Sequence, residues 1–214
     1  MRYQIGPQPE LLKEIGQIMV NYSECENSIH DIFRAVMSLD EDQMYLLVSK
    51  ANLNSEKMVA VIKSEIHRIQ PAILHNSILE GLTGFTKSIP KRNAVAHWQW
   101  AVTDGEEGLA MNSLKAKPRQ PPEIRNYTLK DLQLIAWEIA RSAILLANAA
   151  ISMRFIKRRS LGGSDWRMDR YEFNNSHIDQ LTKCALEETQ SFIANFEAEH
   201  FAPEQPPSSG TDQR

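Results

Sequence analysis

From Pro9 to about Ser38 the apolar side chains of Leu11, Ile15, Ile18, Tyr22, Cys25, Ile29, Ile32 and Val36 recur at alternating spacings of four and three. This is the period of one long amphipathic helix, because it stacks these residues along a single face. A helix of about 30 residues is about 45 Å long, and an element of that length favours an elongated helical bundle.

The remaining pattern fills out the bundle. A short helix is expected around Asp42 to Ser49. Asn54 or Ser55 can cap another, which carries Met58, Ile62, Ile66 and Ile69 on one face until Pro71 interrupts it. Leu74, Ile78, Leu82, Phe85 and Ile89 mark a further helix, with Gly81 and Gly84 either weakening it or allowing a close neighbour. Pro90 is expected to break or kink that helix, with KRNAVAHW continuing at a new angle. Trp98, Trp100 and Val102 alternate with polar or small residues, DGEEG supplies turn residues, and Leu109 and Met111 alternate again, so a small β-hairpin is expected. KPRQPPEIRNY reads as a Pro-rich connector. Thr128 to Asp131 then matches a capping box ahead of a helix bearing Leu132, Ile135, Ile139, Ala143, Leu146 and Ala150. Arg154, Lys157, Arg158 and Arg159 suit the carbonyl end of that helix. SLGGSDWRMDRYEFNN reads as a loop, and Ser176 to Asp179 opens a last helix with Leu181, Ala185, Phe192 and Phe196.

A net charge of -3 and a pI near 6.1 place any polyanion contact on a local basic patch rather than on the overall field. Cys25 and Cys184 lie far apart, and the N-terminal residues have no apolar signal core, so the chain is expected to be cytoplasmic and without a disulfide framework. Cys25 falls on the apolar stripe and reads as core. The richest apolar run, Ala143 to Met153, is read as a core helix rather than a membrane span. No glycine-rich phosphate loop and no zinc-like Cys/His spacing occur, so no metal and no cofactor are expected.

Arg92-Asn-Ala-Val-Ala-His97 joins a permanent cation to the side chain whose ordinary pKa lies near neutrality. Metal-free RNA cleavage needs such groups. A base takes the 2′-OH proton, an acid protonates the leaving 5′-oxygen, and a cation stabilises the phosphorane-like transition state. On an ideal helix positions five apart differ by about 140°, so Arg92 and His97 are not expected to share a face, whereas Asn93 and His97 are. Asn93 is then the natural residue to orient the imidazole. Arg92 must swing its stem around the helix or meet the histidine of a second protomer. Arg68 with His75 and Arg170 with His177 show a looser Arg-x6-His spacing, but neither has Asn after the arginine.

The R-N-x-x-x-H segment, after a long paired-helix region and before a capped Ala-rich helix, resembles the HEPN superfamily (higher eukaryotes and prokaryotes nucleotide-binding). The motif of that family is Arg-x4-6-His with a polar residue, often Asn, after the Arg. The resemblance covers roughly residues 9 to 156. It implies an all-α bundle, commonly a homodimer whose two motifs face each other, acting as a metal-independent endoribonuclease of the toxin or antiviral-defence kind. By position, Arg92 and His97 become the catalytic pair and Asn93 the supporting polar residue. Gln99 stands where the branch with a nucleotidyltransferase antitoxin has a tyrosine, so regulation by modification there does not carry over.

Other residues have plainer readings beside functional ones. Lys87 and Lys91 could guide RNA phosphates or form a solvated face. Glu26 and His30, one turn apart and near Glu24, could pair as acid and base or as a helix-surface pair. Trp98 and Trp100 could stack bases or cover the core. The basic stretch from Arg154 through Arg170 could track RNA or simply be solvated.

The expectation is therefore an all-α, elongated HEPN-like bundle over residues 1–157 with a hairpin insertion at about 98–115, a loop and extra C-terminal helix over 158–200, and a disordered tail over 201–214. The expected activity is RNA cleavage to 2′,3′-cyclic phosphate ends, with an antitoxin or other regulatory protein to restrain it and no membrane partner. The alternative is a non-catalytic helical module that binds a nucleotide or a protein. A metallohydrolase needs clustered ligands, and the six histidines are scattered.

Overall fold

The computed structural model describes residues 6–69, 72–101, 107–112, 122–160 and 175–200, with the side chains of 155–160, 175–182 and 184–186 outside that description. Pro71, Val102, most of DGEEG, the Trp166–Arg170 region with its Arg170/His177 pair, the 201–214 tail and the side chains of Lys157, Arg158, Arg159, Leu181, Cys184 and Ala185 therefore lie outside it.

Helix α1 spans Pro9–Val36, with proline at its start, where a missing N–H costs nothing. Leu11, Ile18, Tyr22, Cys25, Ile29, Ile32 and Val36 are all buried along it, and Ile15 packs against the same core. Ser38 takes a left-handed φ of 55° and ends the run. Helix α2, Glu41–Ser49, begins with a full capping box: Gln43 N donates to Asp40 Oδ1 at 2.7 Å and Asp40 N to Gln43 Oε1 at 3.0 Å. Helix α3, Ser55–Ser64, is capped by Asn54, which accepts from Lys57 N at 3.0 Å. It stops short of the expected Ile69. A 3-10 turn at Ile66–Arg68 takes over, and because that geometry eclipses positions three apart, Ile66 and Ile69 still face inward.

Helix α4, Leu74–His97, runs through Pro90 as one helix, so of the expected break or kink the break does not occur. Pro90 is exposed, which lets its ring point to solvent while the helix gives up one backbone bond. The glycines act through close approach. A Cβ at Gly81 would lie 2.8 Å from Leu146 Cγ, and one at Gly84 would collide with Ser142 Oγ.

Strands β1 (Gln99–Ala101), β2 (Gly108–Asn112) and β3 (Glu123–Tyr127) form an antiparallel sheet in that order, with Trp100 opposite Ala110 and Ala110 opposite Arg125. The first two are the expected hairpin. The third corrects the reading of residues 117–127 as connector: Glu123 to Tyr127 pairs along its whole length with β2, and Tyr127 is buried against Trp100 with ring centroids 5.5 Å apart.

Helix α5, Leu129–Ser160, opens with a Thr128/Asp131 capping box: Asp131 N donates to Thr128 Oγ1 at 3.1 Å and Thr128 N to Asp131 Oδ2 at 2.9 Å. All six residues of its expected stripe are buried, joined by Ala136, Leu145, Ala149 and Met153. The buried surface is this wide because α5 lies against α1 and α4 and also meets α6. Leu129–Arg154 is long and apolar enough, by length and composition, to cross a bilayer, which corrects the narrower reading of Ala143 to Met153. Just over half of its most apolar stretch is buried within this chain. Arg154 does not sit at the carbonyl end; it pairs with Asp31 of α1. Helix α6, Asn175–His200, buries Thr189 and Ile193, whereas Phe192, expected on its apolar face, is 53% exposed. Its contacts with α5 run through Asn148 to Thr189 and a Trp137–Phe196 stack at 4.2 Å.

Helix accounts for 78% of the described residues, in six α-helices beside the three-stranded sheet, so the chain is mostly helical. The α4–α5 contact gives a specific expectation. Gly84→Ala forces Ser142 to rotate away from its bond to the Glu138 carbonyl, or the helices to part. A double-mutant cycle with Ser142→Ala, read by urea unfolding, should return a coupling of about 1–2 kcal/mol. In the Ser142→Ala background, Gly84→Ala should be neutral or stabilising, because alanine gains about 1 kcal/mol over glycine inside a helix.

Candidate functional site

Arg92, Asn93 and His97 occupy the last two turns of α4, and successive residues on a helix turn by about 100°. Lys91 therefore points to α5, where it pairs with Glu138, while Arg92 points to α1. The guanidinium of Arg92 lies over the Tyr22 ring, 4.5 Å from its centroid, and Tyr22 packs on Phe85 at 5.0 Å.

From that position Arg92 Nη1 makes two contacts. It donates to Asn93 Oδ1 at 3.0 Å and lies 3.2 Å from His97 Nε2. Because a guanidinium has no acceptor, His97 Nε2 must be the accepting nitrogen, and a neutral ring then carries its proton on Nδ1. The stem of Arg92 thus swings round the helix and reaches the histidine of its own chain, one of the two routes the 140° separation left open. Asn93 bonds the arginine rather than the imidazole. His97 is exposed, Arg92 Nε is sealed from solvent with no hydrogen-bond partner, and Nη2 has no acceptor among the described residues.

Acidic groups flank the arrangement from α1 and α3. Glu26 is half-buried and accepts from Ser55 Oγ at 3.0 Å, and among the described residues no hydrogen bond or ion pair joins it to His30, as an acid and base pair would need. Glu24 is exposed. Burial first, then the Glu26 carboxylate, pushes the Tyr22 phenol up to about 12, against the opposing pull of the Arg92 cation. Burial likewise pushes the Cys25 thiol up to about 12, with Glu26 and Glu24 adding to it, and the thiol donates to the Ile139 carbonyl at 3.6 Å.

The other sequence candidates lie elsewhere. Lys87 and Lys91 line a groove of about 820 Å³ between α4, α5 and α6, together with Glu80, Glu138, Arg141 and Glu197. Arg141 pairs there with Glu80 and Glu197, so among these cations only the exposed Lys87 lacks an ion-pair partner among the described residues. Trp98 caps the end of α4 beneath Arg125, at 4.9 Å, and Trp100 donates from Nε1 to the Val95 carbonyl at 2.9 Å. The looser relative His75 is bound to the Ile69 carbonyl at 2.8 Å. Among the described residues no cluster of three or more His, Cys, Asp or Glu side chains could hold a metal ion. The residue that sequence reasoning left in the core was Tyr22. Its place on the α1 stripe marked it as buried, but nothing in its spacing pointed to Arg92.

The raised phenol has a consequence for stability. Tyr22 stays protonated in the fold while an unfolded tyrosine ionises near 10, so its contribution is fully present below pH 10 and is lost as pH rises towards 12. In urea titrations over that window, the unfolding free energy of the wild type should fall more steeply than that of Tyr22→Phe. Compared with protein-family models, with curated proteins and with solved structures, the chain matches none.

Proposed function

We propose that the chain is a metal-independent endoribonuclease with the HEPN-type Arg/His arrangement, in a HEPN-like bundle. The observation that carries this reading is the 3.2 Å approach of Arg92 Nη1 to His97 Nε2 beside an exposed imidazole. A cation that cannot lose its charge and an imidazole able to take a proton stand together where a phosphodiester can reach them.

In the proposed reaction the ribose 2′-oxygen attacks the adjacent phosphorus, forming the P–O2′ bond as the P–O5′ bond breaks. Phosphate oxygens draw donors from Arg92, Nη2 first, since it has no acceptor among the described residues. As Arg92 turns to the phosphate, His97 Nε2 is released to take the 2′-OH proton. The leaving 5′-oxygen needs a proton from an acid, which the His97 of a second copy supplies if the chain works as a homodimer with the site between protomers. The products are a 2′,3′-cyclic phosphate and a 5′-hydroxyl. Asn93 supports the arginine, and Lys87, in the separate groove between α4, α5 and α6, is a cation available to RNA away from the reacting phosphate. The setting we assign is the cytoplasm, away from membranes, in a toxin or antiviral-defence role with an antitoxin or other regulatory protein restraining the enzyme.

A second reading, a non-catalytic module that binds a nucleotide or a protein, draws on a different observation. The guanidinium is already engaged by Tyr22, Asn93 and His97, as a structural arginine would be.

Incubation of purified protein with total RNA in EDTA separates the two. Wild type should cleave and leave cyclic-phosphate ends, and folded Arg92→Ala and His97→Ala should each lose about 10²–10⁴-fold in rate. Intact RNA in every lane, or equal cleavage by all three proteins, would overturn the nuclease assignment.

A further inference from the structure

We infer that Tyr22 is the positioning residue that sets Arg92 against His97 within one chain; its catalytic meaning rests on the nuclease reading above. The helix itself places the two residues about 140° apart, so something outside α4 must keep the arginine stem folded round. Asn93 alone is a poor holder, because it is part of the same helix and bonds the same Nη1 that approaches His97.

Tyr22 meets the requirement from α1. It is 7% exposed and held in the core, where Phe85 of α4 packs on its ring at 5.0 Å. The ring also carries the guanidinium at 4.5 Å, a cation–π geometry that is stronger when shielded from water. Arg92 Nε is the sealed, unpartnered nitrogen of the side chain, as expected where the guanidinium lies against a ring with no acceptor. What the ring face holds is the plane and direction of the guanidinium, leaving Nη1 for His97 and Asn93 and Nη2 for a ligand.

The phenolic hydroxyl has no part in this role; the aromatic face does. Tyr22→Phe should therefore preserve what Tyr22→Leu destroys. Two readouts are taken on proteins shown to be folded by circular dichroism: RNA cleavage in EDTA, separated into kcat and KM, and the tautomer of neutral His97 from long-range ¹⁵N–¹H correlation spectra. Tyr22→Leu should lower kcat about tenfold and move His97 from the Nδ1–H form towards the Nε2–H form that an unconstrained histidine favours. Tyr22→Phe should restore both. If the leucine variant does not fold, Tyr22→Met, a pliable apolar filler, takes its place.

Wild-type tautomer and kcat in the folded leucine or methionine variant would overturn the inference, as would an equal loss in Tyr22→Phe. The nuclease reading fails separately: if wild type does not cleave while the tautomer still follows the aromatic ring, Tyr22 positions Arg92 at a site that is not a nuclease.

Discussion

The apolar surface of α5 is too wide for a single neighbour, and the arrangement of the other elements follows from that. Leu132, Ile135, Ile139, Leu145, Leu146 and Ala149 are buried over an arc of about 140° of an ideal helix, and Ala136 and Ala143 widen it to about half the circumference, so α1 and α4 share the burial of α5. Small residues of its neighbours let those helices come near. Ser142 receives Gly84 and Leu146 receives Gly81, while the α1 side offers Cys25, whose thiol reaches the Ile139 carbonyl. Asn21, also on α1, spends its side-chain amide on the Ala136 carbonyl at 2.9 Å. Polar groups at these contacts are satisfied, Asn21 and Cys25 across the interface and Ser142 within α5 at the Glu138 carbonyl, as burial away from water demands.

This shared burial is what brings α1 and α4 together. Neither helix carries the whole site: α4 supplies Arg92, Asn93 and His97, and α1 supplies the aromatic face that Arg92 rests on. The same one-residue step along α4 separates two environments. Lys91 is drawn into an ion pair with Glu138 over α5, whereas Arg92 turns to α1. A basic run in the sequence thus becomes two contacts on different faces, one neutralised by a carboxylate and the other laid on a ring.

The parts of the structure that could be read from sequence were those governed by periodicity and capping. The stripe from Leu11 to Val36, the Leu132 to Ala150 stripe and the Thr128/Asp131 box each follow from local rules, and each is present. Reading went astray where a tertiary partner decides the outcome. Glu123 to Tyr127 is a strand because β2 offers it an edge, a fact hidden behind the prolines that precede it. Phe192 is exposed because α6 meets α5 through Thr189, Ile193 and Phe196 instead. At the candidate site, Arg92 and His97 were legible as residue types at a suggestive spacing. Their contact was not, since helical geometry argues against it and a ring seventy positions earlier in the chain favours it.

Pro90 leaves α4 with one backbone bond fewer just before Lys91, so the stretch from there to His97 relies more on contacts from outside the helix. What clamps it from beyond is the indole of Trp100, which closes the otherwise orphaned Val95 carbonyl and is itself wedged between Tyr127 and the close backbone of Gly108. The end of α4 that carries the arginine–histidine contact is therefore braced by the three-stranded sheet as well as by the helices, so the small sheet is part of the scaffold of the bundle rather than an ornament on it.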